Sequence, residues 1–260
     1  MTNQPANLIA AARQEGLLTA ASMEALEVVD IGARIQDALG VSADDVESSE
    51  VVLVTMLIDD SGSIDHAGNA KAVRDGHNAV LDALAASTQQ SAVLVHTRYL
   101  NGTVLFPYAP LSQVERMTTT NYHPIHGTPL YDETLAMLGA VLAKSQQFAE
   151  NGVPVRTVSL IVTDGDDQHS RRGTAAKVKT VVKDMLRQEN HTIAAMGVDD
   201  GQTDFRLIFR GMGVKPDWIL TPAGTPSEIR RAFQVFSQSA ASLGRGGSLS
   251  TNGLGGFVAP

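Results

Sequence analysis

The sequence predicts an α/β fold: a doubly wound, mostly parallel six-stranded sheet with one short antiparallel edge strand and helices on both faces. Three observations predict it. The apolar runs Val51–Ile58 and Val155–Thr163 read as strands buried on both faces, the condition of strands in a parallel sheet. Segments of helical apolar spacing alternate with strands over residues 51–240, as right-handed crossover connections require. The dipeptide Asn101-Gly102 is a hairpin signal and marks where two strands run antiparallel.

In chain order, residues 1–49 are expected to form a helical N-terminal extension. Ser22 is placed to cap a helix running to about Leu39, with Leu26, Val29 and Ala33 as a partial apolar face, Gly32 interrupting it and Gly40 as its stop. Asp44, Asp45, Glu47 and Glu50 make an acidic, exposed link. The α/β unit spans 50–241. After the strand Val51–Ile58, Ala67–Ala86 carries helical spacing at Val73, His77, Val80, Leu81 and Leu84. Ala92–Tyr99 is the second strand, and a short partner follows near Thr103–Phe106. Pro129 fits the first turn of a helix to about Glu150. Then come the strand Val155–Thr163, a helix Thr174–Gln188, a strand Thr192–Val198 and a short helix Asp204–Arg210. A last strand, Trp218–Thr221, precedes a helix capped by Ser227 and ending near Ser239. Residues 242–260 are rich in Gly and Ser and are expected to be a flexible tail, with Phe257-Val258 in a frayed end rather than a docking motif. No internal repeat is found.

Composition narrows the function classes. The hydrophobic fraction of 43% in 260 residues allows a sizeable core. A net charge of −8 argues against nucleic acid or an anionic membrane as partner. The absence of cysteine excludes disulfides, zinc-thiolate sites and cysteine nucleophiles. The N-terminal residues lack the charged start and long apolar core of a signal peptide, and no run of about 18 apolar residues exists, so the expectation is a soluble, cytoplasmic protein.

Chemistry concentrates at strand ends. The first strand closes in Asp59-Asp60-Ser61-Gly62-Ser63, where Asp59, Ser61 and Ser63 offer hard oxygens suited to Mg²⁺. In an open parallel sheet, ligand sites form in that crevice. Asp164 ends the second strongly apolar strand as Asp59 ends the first, and the two ends would flank the switch point of a doubly wound sheet. Thr128, in His126-Gly127-Thr128-Pro129-Leu130, lies just ahead of a helix with its hydroxyl free to ligate.

D-x-S-x-S after a first strand, Thr in G-T-P-L, and T-D-G after a later strand together resemble the von Willebrand factor A (vWA) domain, a Rossmann-like fold, over roughly residues 50–240. The resemblance implies a metal ion-dependent adhesion site (MIDAS) whose ligands fall on Asp59, Ser61, Ser63, Thr128 and Asp164. It implies Mg²⁺, with Mn²⁺ or Ca²⁺ as substitutes, held so that the ion stays electrophilic and takes an Asp or Glu of a protein partner. The chain resembles bacterial cytoplasmic standalone vWA proteins of tellurite-resistance, stress and conflict clusters, and related proteins act as adaptors beside MoxR-type AAA+ ATPases. Asp60 departs from the small or apolar residue often found at its position.

Simpler readings stand beside these. Asp59 and Asp164 could serve only as helix caps. Asp60, Asp166 and Asp167 are expected as solvated acids on the rim, His123, His126 and His169 as loop residues rather than ligands, Tyr122 and Tyr131 as part of a contact rim, and Arg171-Arg172 as a solvated turn. Gly62 is expected to meet a backbone requirement of the tight loop. The alternative function is a Mg²⁺-dependent phosphatase or phosphotransferase. The haloacid dehalogenase pattern, however, needs Asp where Ser61 stands, and only the three loop histidines offer a general base. The expectation is therefore a binding module and not an enzyme.

Overall fold

The computed structural model describes residues 5–27, 31–86 and 92–243. The predicted tail with Phe257-Val258, and Val29 of the predicted N-terminal helix, lie outside the described residues.

Six strands form one sheet: β1 (Val51–Ile58), β2 (Ala92–Tyr99), β3 (Val104–Pro110), β4 (Val155–Thr163), β5 (His191–Gly197) and β6 (Ile219–Leu220), in the order β3-β2-β1-β4-β5-β6. Every pairing is parallel except β2 with β3. The antiparallel partner of the Asn101-Gly102 hairpin runs to Pro110, longer than expected. All eight residues of β1 are buried, since helices cover both faces of the central strands. From β1 the strand order runs outward to β2 on one side and to β4 on the other, so the crevice at the carboxyl ends of β1 and β4 is the topological switch point.

α4 (Gly62–His66) and α5 (Ala70–Ala86) connect β1 to β2 and share one sheet face with α9 (Pro226–Leu243). The expected helix Ala67–Ala86 thus begins at Ala70, after Gly68 takes a positive φ of 71°. α6 (Leu130–Glu150), α7 (Ala175–Arg187) and α8 (Phe205–Gly211) lie on the other face. The caps are Thr174 and Asp204, whose side chains accept from Lys177 N and Leu207 N. Thr225, not Ser227, accepts from the first turn of α9, at Glu228 N.

The N-terminal residues form three helices rather than one: α1 (Pro5–Gln14), α2 (Ala20–Glu27) and α3 (Ile31–Leu39). Ser22 caps none of them. Thr19 stands at the start of α2, where its hydroxyl accepts from Ser22 N at 3.3 Å, and the Ser22 hydroxyl points inward to Asp184 Oδ2 at 2.6 Å. Asp184 Oδ2 also accepts from Thr19 N and Thr19 Oγ1, both at 2.7 Å. Burial opposes the charge of Asp184, but these bonds and Arg187 outweigh it and hold the carboxyl below its ordinary range. Gly40 does end α3, with φ +58°, and its backbone passes so near Tyr108 that a Cβ would stand 2.0 Å from the carbonyl oxygen.

These three helices make a third layer, α1 and α3 on α6, α2 on α7. Leu8, Ile9, Ala12, Leu26 and Ile35 are buried in the same core as the sheet. The layer explains α6, which is buried almost all round from Glu133 to Gln146 because it lies between the sheet and α1–α3.

Two outcomes follow from this packing. Asp184→Ala strands the buried Ser22 hydroxyl and removes the acceptor of the exposed Thr19 N and Oγ1, and should lower unfolding stability by about 1–3 kcal/mol in urea titrations. His77, fully buried on α5 and bonded through Nε2 to Thr97 Oγ1 at 3.0 Å, has its pKa pushed from 6.5 down to about 4 by burial. A depressed imidazole resists protonation in the folded state alone, so its stability contribution is complete above 6.5 and is lost as pH falls toward 4. The stability difference between wild type and His77→Gln should accordingly shrink by about 1.4 kcal/mol per pH unit across that window, measured by denaturant titration at successive pH values.

Candidate functional site

The in-register pairing of β1 and β4 sets Ile58 beside Val162, and the ladder continues one step as Asp59 N donates to Val162 O at 3.0 Å. Asp59 therefore emerges beside Thr163 and Asp164. Its carboxylate is fully buried and its oxygens are engaged separately: Oδ1 accepts from Ser61 N at 2.7 Å, Oδ2 from Thr163 Oγ1 at 2.6 Å and more weakly from Asp164 N at 3.4 Å. The first bond closes the loop into the short α4; the second ties the two strand ends together.

That loop turns Ser61 and Ser63 toward β4. Ser63 Oγ donates to Asp164 Oδ1 at 2.7 Å, Ser61 Oγ donates to the same oxygen at 3.3 Å, and the two hydroxyls are 2.9 Å apart. Asp59 holds the loop from beneath, while Ser63 stands at the exposed mouth.

The segment before α6 completes the cluster. His126 and Ser61 form an isolated parallel bridge, with His126 N donating to Asp60 O at 3.0 Å and Gly62 N to His126 O at 3.1 Å. Tyr122 OH donates to Asp59 O at 2.6 Å. Thr128 is buried, and its Oγ1 lies 3.8 Å from where a Cβ on Gly165 would stand, next to Asp164. Thr128 N donates to His169 Nδ1 at 2.9 Å, and Thr128 O accepts from Gln168 N and His169 N. The loop after β4 is thus laced to the start of α6. Asp132 accepts from Arg171 N at 2.8 Å, Arg172 N at 3.2 Å and Gly173 N, while Ser170 Oγ accepts from Tyr131 N and Asp132 N. Glu133 pins the same turn to the sheet through Arg98 at 2.9 Å, both side chains being buried.

Charge in this cluster is one-sided. Among the described residues neither Asp59 nor Asp164 forms an ion pair, and Asp60 faces only His126 Nε2, at 3.8 Å. Burial raises the pKa of Asp59. It lifts Asp60 to about 7 and Asp164 to about 6, the charge of Asp59 adding to both. Hydrogen bonds from Ser63 and Ser61 act in the opposite direction at Asp164. Among the described residues no three His, Asp or Glu side chains gather as metal ligands; the side-chain oxygens that converge here belong to Asp59, Asp164, Ser61, Ser63 and Thr128.

The five residues singled out in the sequence, Asp59, Ser61, Ser63, Thr128 and Asp164, meet at one end of the sheet. Several neighbours differ from expectation. Asp60 is no solvated rim acid: it is 1% exposed, and its Oδ1 accepts from Asn101 N at 3.0 Å, clasping the β2–β3 hairpin. Asp167 is half-buried and accepts from Ser170 Oγ at 2.5 Å, whereas Asp166 is exposed. Tyr122 lies beneath the site rather than on its rim, buried against Tyr99. Gly62 has no positive φ, and a Cβ there would meet only His66, at 3.9 Å, so the loop does not require glycine at that position. Geometry does require glycine at Gly127, where a Cβ would stand 2.6 Å from His169 Nδ1, and at Gly173, where it would stand 2.8 Å from Asp132 N. Thr163 and His169 hold ligand candidates in place, and Asn101 holds the neighbouring Asp60; none was singled out for that. Thr163 is visible in the Thr-Asp-Gly string, but its bond to Asp59 depends on strand register, which composition does not reveal.

No protein-family model matches the chain. No curated protein matches it either. Among solved structures the fold is similar to the pilus adhesin SpaC from Lactobacillus rhamnosus GG in its open conformation, with a TM-score of 0.53, 14% identity and 75% of this chain aligned to 30% of that one. At that identity the likeness is one of fold, and the chain spans only about a third of SpaC's length. Looser likenesses include a von Willebrand factor type A protein from Catenulispora acidiphila (TM-score 0.45, 17% identity, 75% of this chain and 43% of that one). Another is manganese-loaded TRAP from Plasmodium vivax (TM-score 0.46, 19% identity, 72% of this chain and 74% of that one).

Gly127→Ala forces the His169 ring away from Thr128 and should destabilise the fold by about 1–3 kcal/mol, with faster hydrogen exchange at the Thr128 amide. Unchanged melting and unchanged exchange at that amide would contradict this packing.

Proposed function

We propose that the chain is a divalent-metal-dependent protein–protein interaction module, with Asp59, Ser61, Ser63, Thr128 and Asp164 as a MIDAS of the vWA kind. The observation that carries the reading is the convergence of these five oxygen-bearing side chains, from three distant segments, on the switch point of the sheet. The donor set fits a hard cation: it contains only carboxylates and hydroxyls, and buried acids without a paired cation are the groups that a divalent ion would relieve. Mg²⁺ is the ion proposed, with Mn²⁺ or Ca²⁺ as substitutes. When bound, it would supply an electrophilic position for an Asp or Glu carboxylate from a partner.

The chain's own residues divide the work. Ser61 and Ser63 are neutral donors and leave cation charge unneutralised. Asp59 is fixed by Ser61 N and Thr163, so its carboxylate supports the loop as much as it faces the site. Asp164 aims Oδ1 at both serines. Thr128 is positioned by His169 through its own backbone. Asp60 spends one carboxylate oxygen on the Asn101 amide, which supports a structural role over an acid–base one and favours a non-enzymatic module. A place as adaptor in a bacterial stress or conflict system, or beside a MoxR-type AAA+ ATPase in the cytoplasm, is the finer part of this proposal and rests on the sequence resemblance. No described helix is long and apolar enough to cross a membrane.

Calorimetric titration of Mg²⁺ and Mn²⁺ tests the reading. Ser61→Ala and Asp164→Ala should each weaken binding by more than about tenfold while leaving the far-ultraviolet circular dichroism unchanged. Equal binding by wild type and both variants would place any metal elsewhere.

A further inference from the structure

We infer that the outer face of α7 and α8 is a second docking surface, separate from the strand-end site, and that its partner is an acidic amphipathic helix of another protein. The first observation is a segregation of charge. The chain carries −8 overall, yet residues 171–215 hold nine Lys or Arg against five Asp or Glu. The remainder holds eleven basic against twenty-three acidic residues.

The second observation is that five of these nine basic residues are exposed on two helices packed together and on the turn that follows them. Lys179 and Lys183 lie one turn apart on the exposed side of α7, and Arg206 and Arg210 one turn apart on α8. α8 packs on α7, and the turn after α8 approaches so closely that a Cβ on Gly213 would stand 3.2 Å from Lys179 Cγ. Lys215 follows that turn and is exposed. None of these five side chains forms an ion pair among the described residues. Between the two arginines, Leu207 is 69% exposed, one of two large hydrophobics so exposed among the described residues.

The third observation concerns shape. Helices α1–α3 form an outer layer over α6 and α7, and α2 within it carries exposed Glu24 and Glu27, no basic residue, and Ala25 and Leu26 buried against the core. An acidic amphipathic helix seated on α7 is already part of this fold. A partner helix beside α2 would continue that layer, but with its Glu residues turned inward to the lysine and arginine pairs, where those of α2 face outward, and an apolar residue covering Leu207. The chain's own tail does not fit, since residues 242–260 contain no Asp or Glu. A long polyanion such as nucleic acid or an anionic membrane meets repulsion from the acidic remainder of the molecule, which a short helix avoids.

The test uses the full chain and a fluorescein-labelled synthetic helix of Glu, Ala and Leu, read by anisotropy with Mg²⁺ and with EDTA. Comparison probes are a Glu/Ser peptide of equal charge, single-stranded DNA and phosphatidylserine vesicles. Arg206→Glu/Arg210→Glu should weaken helix binding by more than about tenfold and Leu207→Ser by more than about threefold, while Lys71→Glu on the opposite sheet face changes it less than about twofold. EDTA should leave binding unchanged, so this result stands or falls independently of the metal site. The inference is overturned if charge reversal has no effect, if the Glu/Ser peptide binds as well as the helix, or if DNA or vesicles bind more tightly. Loss of binding in EDTA, which would move the helix to the strand-end site, overturns it as well. So does a wild-type dimer that Arg206→Glu/Arg210→Glu dissociates, because the occupant is then a second copy.

Discussion

The parallel pairing of β1 with β4 is the constraint on which the site depends. It places two carboxylates, Asp59 and Asp164, at adjacent strand ends, where helices on both faces leave little access to water. Slipping the register by one residue would turn the Thr163 hydroxyl to the face opposite the Asp59 carboxylate. Thr163 reinforces the register where it matters, since its hydroxyl spans from β4 to the Asp59 carboxylate. The electrostatic cost of the arrangement appears as the raised pKa values of Asp59, Asp60 and Asp164.

The rest of the molecule braces this end of the sheet. Asp60 clasps the β2–β3 hairpin, Arg98 and Glu133 fasten the start of α6 to β2, and Asp132 gathers the loop after β4. Arg34 of α3 also pairs with Glu133, so the outer helical layer reaches within one ion pair of the site's supporting turn. The N-terminal helices are therefore structural to α6, whose outward side would otherwise face water as an apolar surface.

Much of this was legible in the sequence because strand ends announce themselves. Eight residues before Asp59, apolar but for Thr55, and nine mostly apolar ones before Asp164, leave little choice of burial or of element type. Helix boundaries and the N-terminal region read less well. Ser22 has the chemistry of a cap, but tertiary contact with Asp184 draws it inward and Thr19 takes its place. Asp60 looked solvated because neighbouring acids usually are; its burial follows from the approach of Asn101, forty-one residues away in the chain. The requirement for Gly127 and the irrelevance of Gly62 to the loop are equally invisible locally, since one faces the His169 ring and the other faces open space. The five candidate ligands were found because each follows a strand or precedes a helix. The residues that hold them were not, because their partners are set only by the packed fold.

The central claim is that the five oxygens at the switch point form a divalent-cation site. A crystal structure of the protein grown with Mn²⁺, with anomalous data collected at the manganese edge, tests it most directly. The account predicts a single anomalous peak with Ser61 and Ser63 Oγ at coordination distance, about 2 Å, and with Thr128 and Asp164 around it directly or through water. An anomalous map without a peak between those residues at saturating Mn²⁺, or with its strongest peak at the loop histidines His123 and His126, would contradict it.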